Sequence, residues 1–218
     1  MKRAGFNTQK STEVKAQVLV QGTPEQEAIW HALLHTFMHV IVEAVAGSGK
    51  TFTLVQYALR ERMKRIGLVA FNKHIADELK VKMGGQRNVD CMTYHSLGFR
   101  AIREYMRGKK VEVDEYKVLN YLEHIELYRE IEEKGKRVKK LLDRDEQKTA
   151  KYRIRTLVGF AKSYGYGPDI TEAELNWIEE RHDVDLNGLR DVCFKAVGPT
   201  LQWCAENMTT IDYDDMVW

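Results

Sequence analysis

Apolar positions set the reading frame of this chain from Gln17 onward. Val18-Leu19-Val20 is a short strand candidate closed by Gln21-Gly22, and Thr23-Pro24-Glu25-Gln26 then starts a helix. Thr23 serves as N-cap, and Pro24 takes the first helical position, where a missing N–H costs nothing. Ala28, Ile29, Leu33 and Phe37 fall on one face of that helix. Val40-Ile41-Val42 is a short run led by β-branched residues, apolar on both faces, as a buried parallel strand reads. A glycine-rich loop follows, and then a helix predicted over residues 51–65 that carries Leu54, Ala58, Leu59 and Met63. Arg60, Arg62, Lys64 and Arg65 are expected in its last turns, where the helix dipole is negative. Gly67 breaks the pattern, and Leu68-Val69-Ala70-Phe71 is a second buried strand candidate. Asn72 is placed to cap a helix reaching Met83, Gly84-Gly85 stops it, and residues 89–92 form a third strand candidate.

Strand, helix, strand, helix, strand with short joins predicts an α/β fold, a parallel sheet covered by helices through right-handed crossovers. Beyond Thr93 helical patterns dominate, so residues 106–189 read as a mainly helical inserted subdomain. Residues 17–105 and 190–218 are expected to form the sheet domain, with residues 1–16 as a polar flexible arm. There is no internal repeat and no low-complexity tract.

Composition narrows the class without naming a function. The chain has 218 residues, 44% hydrophobic and 30% charged, which is ordinary for a globular protein with a core of its own. A net charge of +2 provides no whole-molecule field for a polyanion, so any nucleic acid must be met by local patches. Cys91, Cys193 and Cys204 are far apart and odd in number, with neither zinc spacing nor a disulfide framework. The basic start lacks an apolar signal core, and no apolar run has membrane-spanning length. The expectation is an intracellular, cytoplasmic protein that engages no membrane.

The strongest chemical signal is Ala44-Val45-Ala46-Gly47-Ser48-Gly49-Lys50-Thr51. A loop that leaves a strand and opens a helix aims several backbone N–H groups at one point, and the helix N-terminus adds partial positive charge. Gly47 and Gly49 allow the backbone to curl with positive φ and to approach an anion closely. Lys50 would then reach the β- and γ-phosphates of ATP, and the Thr51 hydroxyl would ligate Mg²⁺. The general pattern begins with glycine, and here that position is Ala44. The competing interpretation is a glycine-rich turn with a solvated lysine.

With alanine accepted at position 44, the loop resembles that of the UvrD/Rep-like superfamily 1 DNA helicases, and other segments match in order. Thr23-Pro24-Glu25-Gln26-Glu27-Ala28-Ile29 resembles the upstream motif whose glutamine reads adenine. Leu68-Val69-Ala70-Phe71-Asn72-Lys73 and Cys91-Met92-Thr93-Tyr94-His95-Ser96-Leu97 resemble the two motifs that line the single-stranded DNA track. Tyr213-Asp214-Asp215-Met216 resembles the aromatic-Asp-Asp segment that precedes the second ATPase motif. The resemblance implies a P-loop NTPase (RecA-like) parallel sheet with an inserted helical subdomain. It also implies ATP and Mg²⁺ as cofactors and a single strand or a single-strand/duplex junction as partner. Replication or repair proteins and further motor domains would complete the assembly. By the same resemblance Lys50 is catalytic, Gln26 and residues 44–51 hold ATP, and Thr51 holds the metal. Phe71, Asn72, Lys73, Thr93, Tyr94 and His95 would contact single-stranded DNA.

Plainer readings stand beside these. Gln26 lies three residues after Thr23, as in a capping box. Phe71 could be core, Asn72 only a helix cap, and His95 an ordinary surface histidine. The basic run over residues 135–155, with Lys136, Arg137, Lys139, Lys140, Arg144, Lys148, Lys151, Arg153 and Arg155, reads as a solvated helical face or, by resemblance, as a DNA contact. His31, His35 and His39 have metal-like spacing but no acidic or cysteine partner, and Asp212, Asp214 and Asp215 read as a local turn and helix start in preference to a Mg²⁺ site. Hydrolysis also needs a metal-binding Asp at a strand end and transition-state arginines. The family's Asp-Glu pair is expected beyond Trp218, so the chain reads as the front part of a larger helicase or as a naturally shortened relative, not catalytically competent alone. The rival functions are a non-enzymatic binding module for single-stranded DNA or protein, and a P-loop small-molecule kinase.

Overall fold

The computed structural model describes residues 19–36 and 39–218, so the expected arm, Val18 and Phe37 lie outside the described residues. Two compact units divide the chain, one ending at Thr93 and one running from Tyr94 to Trp218.

In the first unit, α1 (Pro24–His35) begins as its sequence requires. The Thr23 hydroxyl accepts the Gln26 N–H at 3.4 Å, and Gln26 Oε1 accepts the Thr23 N–H at 3.1 Å. The buried side of α1 differs from the expected stripe: Trp30 is 1% exposed, whereas Ala28 is exposed and Ile29 and Leu33 are half-buried. Trp30 wins because it buries the largest ring and satisfies its polar end at once. Its Nε1–H donates to the Thr53 carbonyl at 2.8 Å, and the Arg60 guanidinium lies 3.8 Å from its ring centroid.

The next helix, α2 (Lys50–Arg60), is shorter than predicted. The Glu61 carboxylate accepts the N–H groups of Met63 and Lys64, which turns the chain out of the helix. Val55, Ala58 and Leu59 face inward, while Leu54 is exposed and Met63 is 95% exposed. Arg62, Lys64 and Arg65 therefore lie past the last turn, and only Arg60 remains in it.

The segment β1 (Ile66–Ala70), α3 (Lys73–Met83), β2 (Val89–Thr93) follows the predicted order. The strands pair in parallel, with Leu68 opposite Cys91 and Ala70 opposite Thr93. Asn72 caps α3, its Oδ1 accepting the Ile75 N–H at 2.9 Å, and Gly84 ends it at φ 56°. Val55, Ala58, Leu59, Leu68, Leu79, Met83 and Val89 share one core, each large side chain worth about 1.5–3 kcal/mol of burial.

The strand expected at Val40-Ile41-Val42 does not form, and Ile41 is 90% exposed. A parallel strand needs ladder partners and covered faces. Among the described residues none pairs with this run, so this unit holds a two-stranded parallel sheet. Leu19 and Val20 are likewise not in a strand. The Val20 N–H donates to Gln56 Oε1 at 3.1 Å, and its carbonyl accepts from Arg60 at 2.7 Å.

The second unit runs α4 (Tyr94–Tyr105), β3 (Glu112–Val113), α5 (Lys117–Glu123), β4 (Tyr128–Glu133), β5 (Lys136–Leu141), α6 (Arg144–Ser163), α7 (Glu172–His182), α8 (Arg190–Glu206) and β6 (Thr210–Ile211). Its main core joins Val118 and Leu122 of α5, Ile154, Leu157 and Val158 of α6, Ile178 of α7, and Val197 and Leu201 of α8. That shared burial groups residues 190–218 with the helices in one compact unit, and the division falls at Thr93 instead of near residue 105. β3 and β6 pair in parallel, Val113 opposite Ile211.

The basic run is not one helical face. Residues 136–141 form β5, antiparallel to β4, because Lys134 and Gly135 adopt φ of 50° and 72° and make a two-residue hairpin turn. Glu130, Glu132 and Glu133 then face Lys139, Arg137 and Lys136 across the ladder, which offsets the charge of those three, while Lys140 lies opposite Arg129.

Candidate functional site

The glycine loop lies wholly in the first unit. Gly47 and Gly49 have φ of 80° and 82°, in the region where a side chain would be strained. Ser48 N–H donates to the Val45 carbonyl at 3.3 Å, closing the curl. Gly49 then precedes α2 without any side-chain cap, so the first amides of α2 and the positive end of its dipole face the loop. Lys50 Nζ folds back over the loop, donating to the carbonyls of Ala44 at 3.0 Å and Val45 at 2.8 Å. Ala46 and Ser48 are exposed, and Thr51 is half-buried in the first turn of α2.

Gln26 reaches this loop from α1. A Cβ placed on Gly49 would sit 3.2 Å from Gln26 Nε2, so the amide nitrogen abuts the loop while Oε1 closes the capping box. The capping role is therefore formed, and it leaves the donor end of the amide directed at Gly49.

The strand-end residues sort by unit. Phe71, Asn72 and Lys73 leave the carboxyl end of β1, and Thr93 ends β2 opposite Ala70, so all four occupy one edge of the first unit's sheet. Phe71 is 84% exposed and is not core. Asn72 has its oxygen committed to the α3 cap. Tyr94 and His95 open α4 in the second unit, both exposed, and the His95 ring meets Tyr213 edge-on at 5.7 Å and 81°.

The aromatic-Asp-Asp segment is anchored by residues that sequence reasoning missed. Lys117 Nζ donates to Asp215 Oδ2 at 2.8 Å and to the Cys204 carbonyl at 3.1 Å. Lys162 Nζ donates to Asp212 Oδ2 at 2.9 Å and pairs with Asp215 Oδ1 at 2.7 Å. All four charged side chains are buried. Burial opposes the Lys162 charge, yet Cys204, Asp215 and Asp212 together carry its pKa up to about 12. Burial likewise opposes the Asp215 charge, but Lys162 and Lys117 hold that carboxyl below the usual range. No spacing signal marks Lys117 or Lys162. Each is a single lysine on an otherwise apolar helix face, a pattern legible only as an anomaly of burial.

The remaining candidates resolve as plainer chemistry. The rings of His31 and His35 lie 4.6 Å apart on α1, tilted by 48°, and among the described residues no group of three potential ligands assembles. Asp212, Asp214 and Asp215 lie in a turn after β6, with Asp212 and Asp215 committed to lysines. The three cysteines are free and buried, and burial pushes the Cys193 thiol up to about 11. Among the described residues no helix is long and apolar enough to cross a membrane.

The chain is similar in sequence to known proteins. The chain shares 34% identity over 107 residues with "F-box DNA helicase 1" of Gallus gallus, covering 49% of this chain and 10% of that relative. It shares 35% over 80 residues with "F-box DNA helicase protein 1" of Schizosaccharomyces pombe, covering 37% of this chain and 9% of that relative. The matched stretch thus spans about a tenth of the length of these relatives. A family model, "UvrD/REP helicase N-terminal domain", matches residues 24–218, from the first residue of α1 to the last residue of the chain. That match covers most of the chain, including the glycine loop, both strand-end segments and the aromatic-Asp-Asp turn, so the chain belongs to the UvrD/REP helicase N-terminal domain family.

Proposed function

We propose that this chain is the nucleotide-holding front part of an ATP- and Mg²⁺-dependent DNA helicase that moves 3′ to 5′ on a single strand. The observation that carries the reading is the loop: two left-handed glycines lead into the uncapped N-terminus of α2, with Lys50 at its first position. That donor set suits a polyphosphate, since amides and the dipole favour anionic oxygens and an ammonium group neutralises them. Residues 44–51 would cradle the phosphates, with Lys50 moving from the carbonyls of Ala44 and Val45 to the β- and γ-oxygens. The Thr51 hydroxyl would hold Mg²⁺, which supplies charge neutralisation between those oxygens when bound. Gln26 Nε2 would donate to the base. Phe71 and Tyr94 would stack on unpaired bases, while Asn72, Lys73, Thr93 and His95 would meet the strand's backbone. By the resemblance, residues 17–105 and 190–218 would belong to a RecA-like motor domain that continues in partner segments, and two such domains closing on ATP drive movement.

Titration of Mg-ATP into the chain and into Lys50→Ala tests the reading. Removal of the ammonium is expected to weaken binding at least about tenfold, as loss of a charge-assisted contact does. Equal affinities would reject the loop assignment. DNA affinity that survives Lys50→Ala and ignores ATP, together with those equal affinities, would instead support a non-enzymatic binding module.

A further inference from the structure

Within the second unit, one exposed aromatic is held in place by unusually costly means. Tyr213 is 52% exposed, yet hydrogen bonds and buried ion pairs close the turn that carries it. Asp215 N–H donates to Asp212 Oδ1 at 2.7 Å, and Asp212 N–H donates to Asp215 Oδ2 at 3.0 Å, a reciprocal closure around Tyr213 and Asp214. The carboxylates of that closure are the partners of Lys117 from α5 and Lys162 from α6. On the other side the turn lies directly on α4. A Cβ at Gly98 would overlap the Met216 carbonyl oxygen, so only glycine admits the turn so near the helix. One helical turn before Gly98 stands His95, and its ring meets that of Tyr213.

Burying two lysines and two aspartates costs desolvation that well-packed apolar residues would avoid, and such clusters are best attested where they fix one arrangement among several. Here the arrangement fixed is an exposed tyrosine beside an exposed histidine. Resting on the single-strand reading above, we propose that Tyr213 is a further contact residue for single-stranded DNA, stacking on an unpaired base beside His95, and that the buried Lys117/Lys162–Asp212/Asp215 bracket positions it. The geometry suits a nucleotide: a tyrosine face takes any base, and the neighbouring imidazole edge takes the adjoining phosphate. Asp212, Asp215, Lys117 and Lys162 are positioning residues, because each acts through the turn.

The experiment is an equilibrium titration of a labelled oligodeoxythymidine over a salt series, using the whole chain. Tyr213→Ala is expected to weaken binding roughly tenfold, as loss of one stacked base does, while Tyr213→Phe binds as the parent does. The slope of log affinity against log salt should not change, because no phosphate contact is lost. Asp212→Asn keeps the acceptor for the Asp215 N–H and loses the charge paired with Lys162. It should weaken binding too, and Asp212→Asn with Tyr213→Ala should lose no more than Tyr213→Ala alone. Additive losses would overturn the bracket's positioning role. Photocrosslinking of a 5-iododeoxyuridine strand gives a second readout that needs no substitution. A crosslink at Tyr213 supports the contact, and crosslinks only elsewhere overturn it. If Tyr213→Ala binds normally while Phe71→Ala and His95→Ala weaken binding, this inference fails and the single-strand reading stands. If none of the three weakens binding, the single-strand reading fails and takes this inference with it.

Discussion

The two ends of the Gln26 amide have different neighbours, which leaves room for the proposed nucleotide contact beside the cap. Oε1 closes the α1 cap and Nε2 abuts Gly49. Gln26→Glu keeps an acceptor for the Thr23 N–H and removes the donor. It should leave the thermal midpoint nearly unchanged while ATP affinity falls about tenfold, the worth of a buried hydrogen bond replaced by a repelled one. Gln26→Ala should lose both, with about 0.5–2 kcal/mol of stability gone through the cap. Calorimetric melting of the two variants beside nucleotide titration separates the roles. If Gln26→Glu binds ATP as the parent does, the side chain is a cap and nothing more.

At the scale of elements, close approach of backbone decides what the helices can carry. α4 bears Tyr94 and His95 at its start and accepts the residue 212–217 turn at Gly98. Gly98→Ala sets a methyl group against a carbonyl oxygen that belongs to backbone, which cannot swing aside as a side chain would. The expected cost is about 1–3 kcal/mol or more, the range for overpacking a filled site. Because the turn would be driven off α4, single-strand affinity should fall with it. A chemical-denaturation midpoint equal to the parent's would show that the turn yields freely. The hairpin teaches a related lesson: β4 and β5 place Glu130, Glu132 and Glu133 against Lys139, Arg137 and Lys136, so part of the most basic stretch of the sequence faces acids of its own fold. That pairing competes with phosphate contact at Lys136, Arg137 and Lys139.

For the molecule as a cooperative whole, the buried charges set the pH limits of the second unit. Lys162 has a folded pKa of about 12 against an ordinary value of 10.5, so its contribution is complete below 10.5 and is lost as pH rises through about 12. Asp215 has a folded pKa below its ordinary 3.8, so its contribution is present above 3.8 and is lost as pH falls through the depressed value. Stability should therefore hold across the neutral range and fall at both extremes, with Lys117, Asp212 and Cys204 facing the same cluster. Removing one partner, as in Lys162→Met, leaves the buried Asp212 carboxylate without a cation and Asp215 with Lys117 alone, and should cost about 3–5 kcal/mol at pH 7. Urea midpoints across pH for the parent and Lys162→Met test this, and parallel curves at both extremes would refute it.

Much of the site was written locally and could be read locally. Thr23, Pro24 and Gln26 dictate the start of α1, Asn72 and Gly84 dictate both ends of α3, and Gly47 and Gly49 dictate the curl before Lys50. These are short-range steric and hydrogen-bonding requirements, so neighbouring residues suffice to state them. The same holds for the order β1, α3, β2 and for the placement of Phe71 and Thr93 at one sheet edge. What the tertiary structure alone decided depends on partners far along the chain. Val40-Ile41-Val42 has the composition of a buried strand but no ladder neighbour among the described residues, and composition cannot create one. Trp30 displaced the expected apolar stripe because Thr53 and Arg60 meet it from another helix. Lys117 and Lys162 became the anchors of the Asp212–Asp215 turn across separations of 98 and 50 residues, through a desolvated geometry that no local pattern encodes. Local sequence determines which backbone shapes are cheap, and only the folded chain determines which distant charges are left to face one another out of water.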